Sequence, residues 1–514
     1  MIKYYKEPRL SFGFDQPSVD PRDGLTLFGP HEDLNPYSLR VGVVGTKEGL
    51  QYYHNFVKEL NKPIISKKNY YGNISMDMGR PSFPGFESVF NIKWSPKEEL
   101  FLEIDPEKIS RILLQSNKKK RTSQLVDLYL NAITKATNEE DVNVDIWFLI
   151  VPNKIYKACK PQSFGQDFSK GTKDYMDKIE QGQMPLKFEG QEDYETELSK
   201  SYSSSADFHH LMKARLILEK IETPVQLSLE STLQFRKKGS NKMYDENMRA
   251  HLAWTQSTTL YYKLGKLPWK LKDIRDGVCY LGLIFKRMDH LNEKKKACSA
   301  AQMFLKDGDG SVFRGSIGEW QRKRFDDFHL DKEASKELIG MALDDYKYKW
   351  DKYPEELFIH GRAHFSEEEW EGFNIAVESS NANTKLTGVI IKEYNGLKFF
   401  RDVEGQASNY GVLRGLAYII SKWEGFLFTR GFIPRLNTSS SIEVPNPLQI
   451  KLSRGYSDIE TVIGDVLALT KLNYNSCIYG DGLPVTLRFS DDIGNILTAT
   501  KDFKADKRQF KYYI

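Results

Sequence analysis

Two basic side chains and one amide are spaced so that they could hold a phosphate. His209 and Lys213 stand four residues apart in DFHHLMKARLILEK, whose apolar residues have helical spacing, with Ser205 as the predicted helix cap. Gln226 follows in TPVQLSL, which predicts a short buried strand, since the helix should end before Pro224. The N-terminus of a helix offers free N–H groups and a favourable dipole to an anion. The combination predicts a phosphate site.

A second predicted helix adds further donors. It runs from about Tyr244 to Leu264, carries Thr259 and Lys263 on one face, and ends at Gly265. Each feature alone is typical of a solvated helix face, and only their order along the chain favours a common site.

A rival pair has the same spacing as His209 and Lys213. Tyr156 and Lys160, in KIYKACK, also stand four residues apart. We prefer the later pair because Gln226 follows it at a suitable distance and because its helix is clearer. Tyr156 and Lys160 remain alternative phosphate contacts.

The composition describes a large globular protein. A chain of 514 residues is long enough for two domains, and 40% hydrophobic with 13% aromatic residues can fill large cores. The formal charge is only +4, from 74 basic and 70 acidic residues, so any nucleic-acid surface must come from local clustering. The four cysteines form no CxxC, which argues against structural zinc. Without an apolar run of about 18 residues or a signal peptide, we expect a cytoplasmic protein that does not enter a membrane.

Alternating strand and helix patterns predict an α/β protein. In the first half, a strand at 39–44, a helix at 47–60 and a strand at 144–151 indicate a doubly wound unit. The polar stretch near 162–205 is predicted as an insertion outside the core, and the basic run 118–121 as a solvated helix entry. In the second half we predict a helix at 333–350 and strands at 278–285, 299–305, 355–361, 385–392, 446–453 and 483–489.

The ordered motif (His/Tyr)-x3-Lys, then Gln, then a helix ending Lys-Leu-Gly-x-x-Pro-Trp resembles the 5′-phosphate pocket of the MID domain of Argonaute proteins. The resemblance implies that a guide-strand phosphate is held by His209, Lys213, Gln226, Thr259 and Lys263. Many relatives have Tyr where His209 stands and an amide where Thr259 stands. In many Argonautes the terminal carboxylate shares Mg²⁺ with the guide phosphate, which implies the same role for Ile514.

The second half is similar to the RNase H-like PIWI domain, down to LTKLNYNS and LPVTLRFSDDIGNIL near its end. Slicing PIWI domains need carboxylates that hold two divalent cations during phosphoryl transfer. Ile284 stands where the first strand of the family has Asp, and His360 stands where a later strand has the Asp of Arg-Asp-Gly. Ile binds no cation, and one His does not replace oxygen ligands around Mg²⁺. The resemblance thus implies a degenerate slicer site, although His360 alone would be an ordinary strand-end histidine.

The resemblance as a whole implies a Rossmann-like MID domain over residues 1–272, with an N-terminal extension, and an RNase H-like PIWI domain over 273–514. The phrase DPRDGLTLFGP, residues 20–30, looks like the opening of short prokaryotic Argonautes encoded beside a TIR-APAZ protein. Such proteins bind a 5′-phosphorylated guide RNA and recognise complementary single-stranded target DNA. They form a heterodimer with TIR-APAZ that assembles further on target binding, and its NAD(P)⁺ hydrolysis halts cells invaded by plasmids or phages.

Other interpretations stay open from sequence. The partner could instead be a Sir2-APAZ protein or an APAZ-linked nuclease. The chain could also be an active guide-directed nuclease that uses carboxylates such as Asp402 or Asp481. A third possibility is a phosphate-binding α/β enzyme unrelated to Argonautes.

Overall fold

The computed structural model describes most of the chain. It covers residues 1–514 except 35–37, 68–69, 72–73, 76–79, 139–141, 160–206, 239, 289–292, 305–309, 320–328, 404–405, 408–410, 440–443 and 501–507. The predicted insertion near 162–205, Lys160 and Ser205 lie outside the described residues. None of the helices in the described part is long and apolar enough to cross a membrane.

Fourteen helices are numbered here within the described residues. They are α1 Pro21–Phe28, α2 Lys47–Leu60, α3 Phe86–Phe90, α4 Pro106–Leu113, α5 Lys118–Asn138, α6 Asn153–Ala158, α7 Phe208–Leu218, α8 Glu230–Leu233, α9 Glu246–Lys263, α10 Lys332–Trp350, α11 Glu367–Ser379, α12 Ile459–Leu469, α13 Val485–Arg488 and α14 Ser490–Leu497. Single 3₁₀ turns cover Gly13–Asp15, Glu98–Leu100, Pro434–Leu436 and Phe510–Tyr512.

The strands range from two to 12 residues in length. They are β1 Ile2–Tyr4, β2 Leu10–Ser11, β3 Pro17–Ser18, β4 Val41–Gly45, β5 Tyr70–Tyr71, β6 Ile74–Ser75, β7 Phe101–Glu103, β8 Ile146–Val151, β9 Val225–Leu229, β10 Lys270–Leu271, β11 Val278–Met288, β12 Glu293–Phe304, β13 Gly310–Glu319, β14 Glu356–Gly361, β15 Lys385–Glu393, β16 Asp402–Val403, β17 Gln406–Ala407, β18 Leu416–Ser421, β19 Glu424–Leu427, β20 Phe432–Ile433, β21 Thr438–Ser439, β22 Leu448–Gly455 and β23 Arg508–Gln509.

The smaller of the two main sheets is parallel and covered on both faces. Its strand order is β7-β4-β8-β9, and every neighbouring pair is parallel. The central strands β4 and β8 are buried along their whole length, as strands flanked by helices on both sides must be. One core cluster includes residues of α2 and α9, and another includes residues of α5 and α7. This is the Rossmann-like arrangement that the strand and helix pattern predicts.

The larger sheet has ten strands in the order β1-β18-β19-β22-β15-β14-β11-β12-β13-β23. Its centre, β11-β14-β15, is parallel, and antiparallel strands extend it on both sides. Helices α10 and α11 share a core with one face, whereas α12, α13 and α14 share a core with the other. The N-terminal strand β1 pairs with β18, so the chain begins in the sheet of the second half. The predicted α/β class is confirmed.

Several predicted elements need correction. The stretch 483–489 is not a strand: its centre forms helix α13, whose side chains pack against β11, so tertiary packing overrides the alternating β-branched pattern. The basic run lies inside helix α5, where Lys118 and Arg121 are buried. Arg121 donates to the carbonyl oxygens of Gln115, before α5, and Ala158, at the end of α6. Its side chain therefore connects these segments and is not solvated.

Candidate anion-binding site

A cavity of about 720 Å³ lies where the two halves of the chain meet. The ends of β8 and β9, the first turns of α7, the last turn of α9 and the final residues all contribute to its wall. The predicted residues that line it are Tyr156, His209, Lys213, Gln226, Lys263 and Ile514. The structure therefore brings Tyr156 of the rival pair to the same cavity as the preferred set, while Lys160 lies outside the described residues.

Two buried lysines line this cavity. Lys213 and Lys263 are each only 2% exposed. Nζ of Lys263 donates to the Val225 carbonyl oxygen at 3.0 Å and to Oε1 of Gln226 at 2.7 Å, while Nζ of Lys213 donates to the main-chain oxygen of Ile514. No carboxylate side chain among the described residues forms a salt bridge with either lysine.

The burial of these two lysines side by side is electrostatically unfavourable. Burial lowers the pKa of Lys213 to about 8, and burial followed by the charge of Lys213 lowers the pKa of Lys263 well below its usual value. Removing an ammonium group from water without an opposite charge is costly, and two neighbouring ammonium groups also repel each other. An anion in the cavity would remove both penalties, so the residues present fit an anion.

His209 is an uncharged member of the site. Its ring opens onto the cavity from the first turn of α7. The ring is exposed through the cavity, but the protein atoms packed around it and then the charges of nearby residues, Lys213 first, hold its pKa below the usual value. At neutral pH the imidazole therefore offers a hydrogen bond and no positive charge. The helix cap is Asp207, whose Oδ1 accepts from the His210 backbone N–H at 3.0 Å.

Thr259 does not line the cavity. Its Oγ donates to the carbonyl oxygens of Thr255, at 2.8 Å, and of Tyr474, at 3.2 Å. The cavity is lined instead by Gln256, which stands seven residues before Lys263 and thus on the same face of α9. The predicted direct phosphate contact of Thr259 does not fit this geometry.

Sequence reasoning missed other side chains in the cavity wall: Ser228, Thr232, Lys238, Gln256, Asn475 and Asp492. Oγ of Ser228 and Oε1 of Gln256 are buried and have no hydrogen-bond partner within the described structure. Ser228 could have been predicted, because it follows Gln226 by two residues and side chains at that spacing lie on the same face of a strand. Lys238, whose ammonium lies 4.7 Å from the centroid of the Tyr156 ring, comes from a loop and gives no such signal.

Oxygen donors at this cavity also fit a hard divalent cation. Ile514 and Asp492 both face it, together with the amide of Gln226. Mg²⁺ prefers oxygen ligands and keeps several of its waters, so a phosphate oxygen and two such protein groups are a suitable set.

The positions expected for slicing are apolar or fully buried. Gly282 of β11 pairs with His360 of β14, and Ile284 follows two residues later on the same face. Ile284 is 2% and His360 1% exposed, and Nδ1 of His360 lies 2.8 Å from Oγ of Thr486 on α13. Burial lowers the pKa of His360 to about 3. Thus His360 is neutral at physiological pH and is covered by the helix above it.

The alternative carboxylates are not arranged as a metal site in the described part of the chain. Neither Asp402 nor Asp481 belongs to a group of three potential metal ligands there. Oδ2 of Asp481 accepts from Nδ2 of Asn473 and from Nε of Arg488, each at 2.8 Å. Asp481 is therefore part of a structural ion pair.

Similarity to known proteins is visible in the fold and not in the sequence. No protein-family model and no curated protein matches this sequence. The solved structure of Clostridium butyricum Argonaute bound to a guide DNA and a 19-mer target DNA matches 98% of this chain with a TM-score of 0.60 and 16% identity. The chain has the Argonaute fold. Drosophila Piwi matches all of it with a TM-score of 0.57 and 11% identity.

The Argonaute fold is present here at reduced length. Marinitoga piezophila Argonaute, solved in complex with a 5′ OH guide RNA, matches the whole chain with a TM-score of 0.52 and 12% identity. This chain covers 54% of the Clostridium protein, 56% of Drosophila Piwi and 59% of the Marinitoga protein.

The lowered pKa values of the two lysines predict that the affinity for phosphate depends on pH. A bound phosphate dianion raises the pKa of Lys213, so the complex holds more protons than the free protein above about pH 8. Affinity for inorganic phosphate should therefore fall from about pH 7.5 to about pH 9.5, by up to about tenfold per unit for each lysine that titrates. Isothermal titration calorimetry measures this. Lys213→Met should bind more weakly at pH 7.5 and with a shallower slope; an affinity independent of pH would contradict this account of the site.

Proposed function

We propose that this chain binds the 5′-phosphorylated end of a guide RNA and uses the guide to recognise complementary single-stranded DNA. The observation that carries the proposal is the pair of buried lysines, Lys213 and Lys263, which line one cavity and form no salt bridge with a carboxylate side chain in the described structure. The Argonaute fold over the whole chain supports a guide strand as the source of the anion.

A terminal phosphate suits this cavity better than an internal one. It carries close to two negative charges at neutral pH, whereas a phosphodiester carries one. Charge-assisted hydrogen bonds contribute about 1.5–3 kcal/mol each. Lys213 and Lys263 would supply two of them, and Gln226 and His209 would add uncharged hydrogen bonds. The unpartnered oxygens of Ser228 and Gln256 are further candidates for contact with the first nucleotide.

The ion at this site would be Mg²⁺. Ile514, Asp492 and the guide phosphate would provide its oxygen ligands. Mg²⁺ would neutralise part of the phosphate charge, and Lys213 would hold the Ile514 oxygen in place.

Target recognition would follow from base pairing. The protein holds the end and backbone of the guide by charge, and the exposed guide bases select the complementary strand. Tyr156 and Lys238, which also line the cavity, would contact the guide next to its phosphate.

The slicer centre would be inactive in this protein. Ile284 offers no ligand atom, and His360 is buried against Thr486. Two-metal phosphoryl transfer requires several carboxylates that converge on both reacting oxygens. The chain would therefore bind its target without cutting it.

A second protein would then supply the effector chemistry. We propose a TIR-APAZ protein whose NAD(P)⁺ hydrolysis is switched on by target binding, in defence against plasmids and phages by abortive infection. Support comes from the phrase at residues 20–30. In the structure this segment contains helix α1. Asp20 caps the helix and forms a buried ion pair with Arg22. A Sir2-APAZ or nuclease-APAZ partner is the alternative.

Guide loading tests the phosphate site. Lys213→Glu should weaken binding of a labelled 5′-phosphorylated RNA of about 20 nucleotides by roughly 100-fold or more, because an attraction is replaced by repulsion. Filter binding with 5′-phosphate and 5′-hydroxyl RNAs measures this, and the variant should discriminate between them less than the native chain. Lys58→Glu, an exposed lysine on α2, is the matched control. Unchanged loading in a folded Lys213→Glu protein would shift the assignment to Tyr156 and Lys160.

A cleavage assay tests the slicer assignment. The chain loaded with guide RNA and labelled complementary single-stranded DNA, with Mg²⁺ or Mn²⁺, should yield no cleavage products, since no carboxylate set surrounds Ile284 and His360 in the described structure. A gel-resolved time course at enzyme excess is the measurement. Guide-dependent products of fixed length would show that carboxylates elsewhere, such as Asp402 or Asp481, form an active centre.

A further inference from the structure

A carboxylate and two imidazoles meet at the first turn of α7. The potential ligand atoms of Asp207, His209 and His210 all lie within 4.8 Å of one another, and this is the only such group of His, Cys, Asp or Glu side chains in the described part of the chain. Nδ1 of His210 is 3.4 Å from Oδ1 of Asp207. The helix cap fixes this geometry, since the same Oδ1 accepts from the His210 backbone N–H.

We propose that Asp207, His209 and His210 bind one divalent transition-metal ion when the cavity holds a phosphate. One carboxylate and two imidazoles suit Zn²⁺, Co²⁺ or Ni²⁺, whereas Mg²⁺ and Ca²⁺ prefer a shell of oxygens. This site is thus chemically distinct from the oxygen donors around Ile514. The inference rests on the proposed phosphate site and deepens it.

The position of the three side chains leaves room for a further ligand. All three line the same cavity as Lys213 and Lys263. Three protein ligands leave at least one coordination position of a tetrahedral ion open, as in sites that accept water or substrate. A phosphate oxygen can take that position. His209 would then contact the phosphate through the ion and not directly.

Because of the charges around the cavity, metal binding depends on a bound phosphate. Positive charge surrounds His209: it comes from the N-terminal end of α7 and from the ammonium groups of Lys213, Lys238 and Lys263. This charge opposes the binding of a metal ion when no phosphate is bound. The exposed carboxylate of Asp492, which also lines the cavity, offsets this charge in part. A phosphate dianion removes most of this positive charge. Metal and phosphate should therefore each raise the affinity for the other, by the same factor.

The test uses the full chain, freed of metal by chelation and of any affinity tag. Co²⁺ is titrated with and without saturating inorganic phosphate, and its visible absorption reports nitrogen and oxygen ligation. The native chain should bind one Co²⁺ per molecule, at least roughly tenfold more tightly with phosphate. No Co²⁺ binding in either condition, or equal affinity in both, would overturn the proposal.

Matched variants assign the ligands. His210→Ala should lose Co²⁺ binding, and so should Asp207→Asn, which keeps a side-chain oxygen for the helix cap. His54→Ala, an exposed histidine on α2, should bind as the native chain does. Equal Co²⁺ affinity in His210→Ala and in His54→Ala would refute the site.

A parallel measurement separates this inference from the proposed function. Binding of 5′-phosphorylated RNA is measured on the same samples in the presence of EDTA. If the native chain binds the RNA but no Co²⁺, only the metal site is refuted. If it binds neither RNA nor inorganic phosphate, the phosphate site itself is refuted, and with it the basis of the metal site.

Discussion

Two lysine side chains are buried side by side with no salt bridge to a carboxylate side chain in the described structure, and the rest of the site is built around them. Lys213 and Lys263 come from different helices and meet beside Gln226, where burial lowers the pKa of both. Such a pair costs stability in the free protein, since replacing buried charges with apolar groups is often neutral or stabilising. The cost is consistent with a site arranged for an anion that the free chain lacks.

Residues from both halves of the protein line the same cavity. Lys213 contacts Ile514, 301 positions later in the chain. Helix α14 packs against α7 beside the cavity and also against β11, the strand that carries Ile284. One hydrophobic core continues from the parallel sheet into the ten-stranded sheet. An anion that binds Lys213 would therefore act directly on a contact between the two halves of the chain.

Sequence alone predicted the parts that local rules determine. The order of the motifs and their resemblance to the Argonaute MID pocket singled out His209, Lys213, Gln226 and Lys263, which line one cavity. The helix at 47–60 has the bounds that its sequence predicts. Tertiary packing decided the rest: α13 was predicted as a strand. Thr259 turns towards Tyr474, and Gln256 takes its place at the cavity. Contacts between residues far apart in sequence, such as His360 with Thr486, leave no local pattern to detect.

The central claim is that Lys213 and Lys263 are held in a buried cavity to receive a 5′-phosphate. An experimental structure of the full chain with a 5′-phosphorylated RNA tests it most directly. We expect the terminal phosphate to lie within hydrogen-bonding distance of both Nζ atoms, about 2.7–3.0 Å, with the first nucleotide against the wall that carries Ser228 and Gln256. A phosphate bound elsewhere, with both lysines still facing an empty cavity, would contradict it.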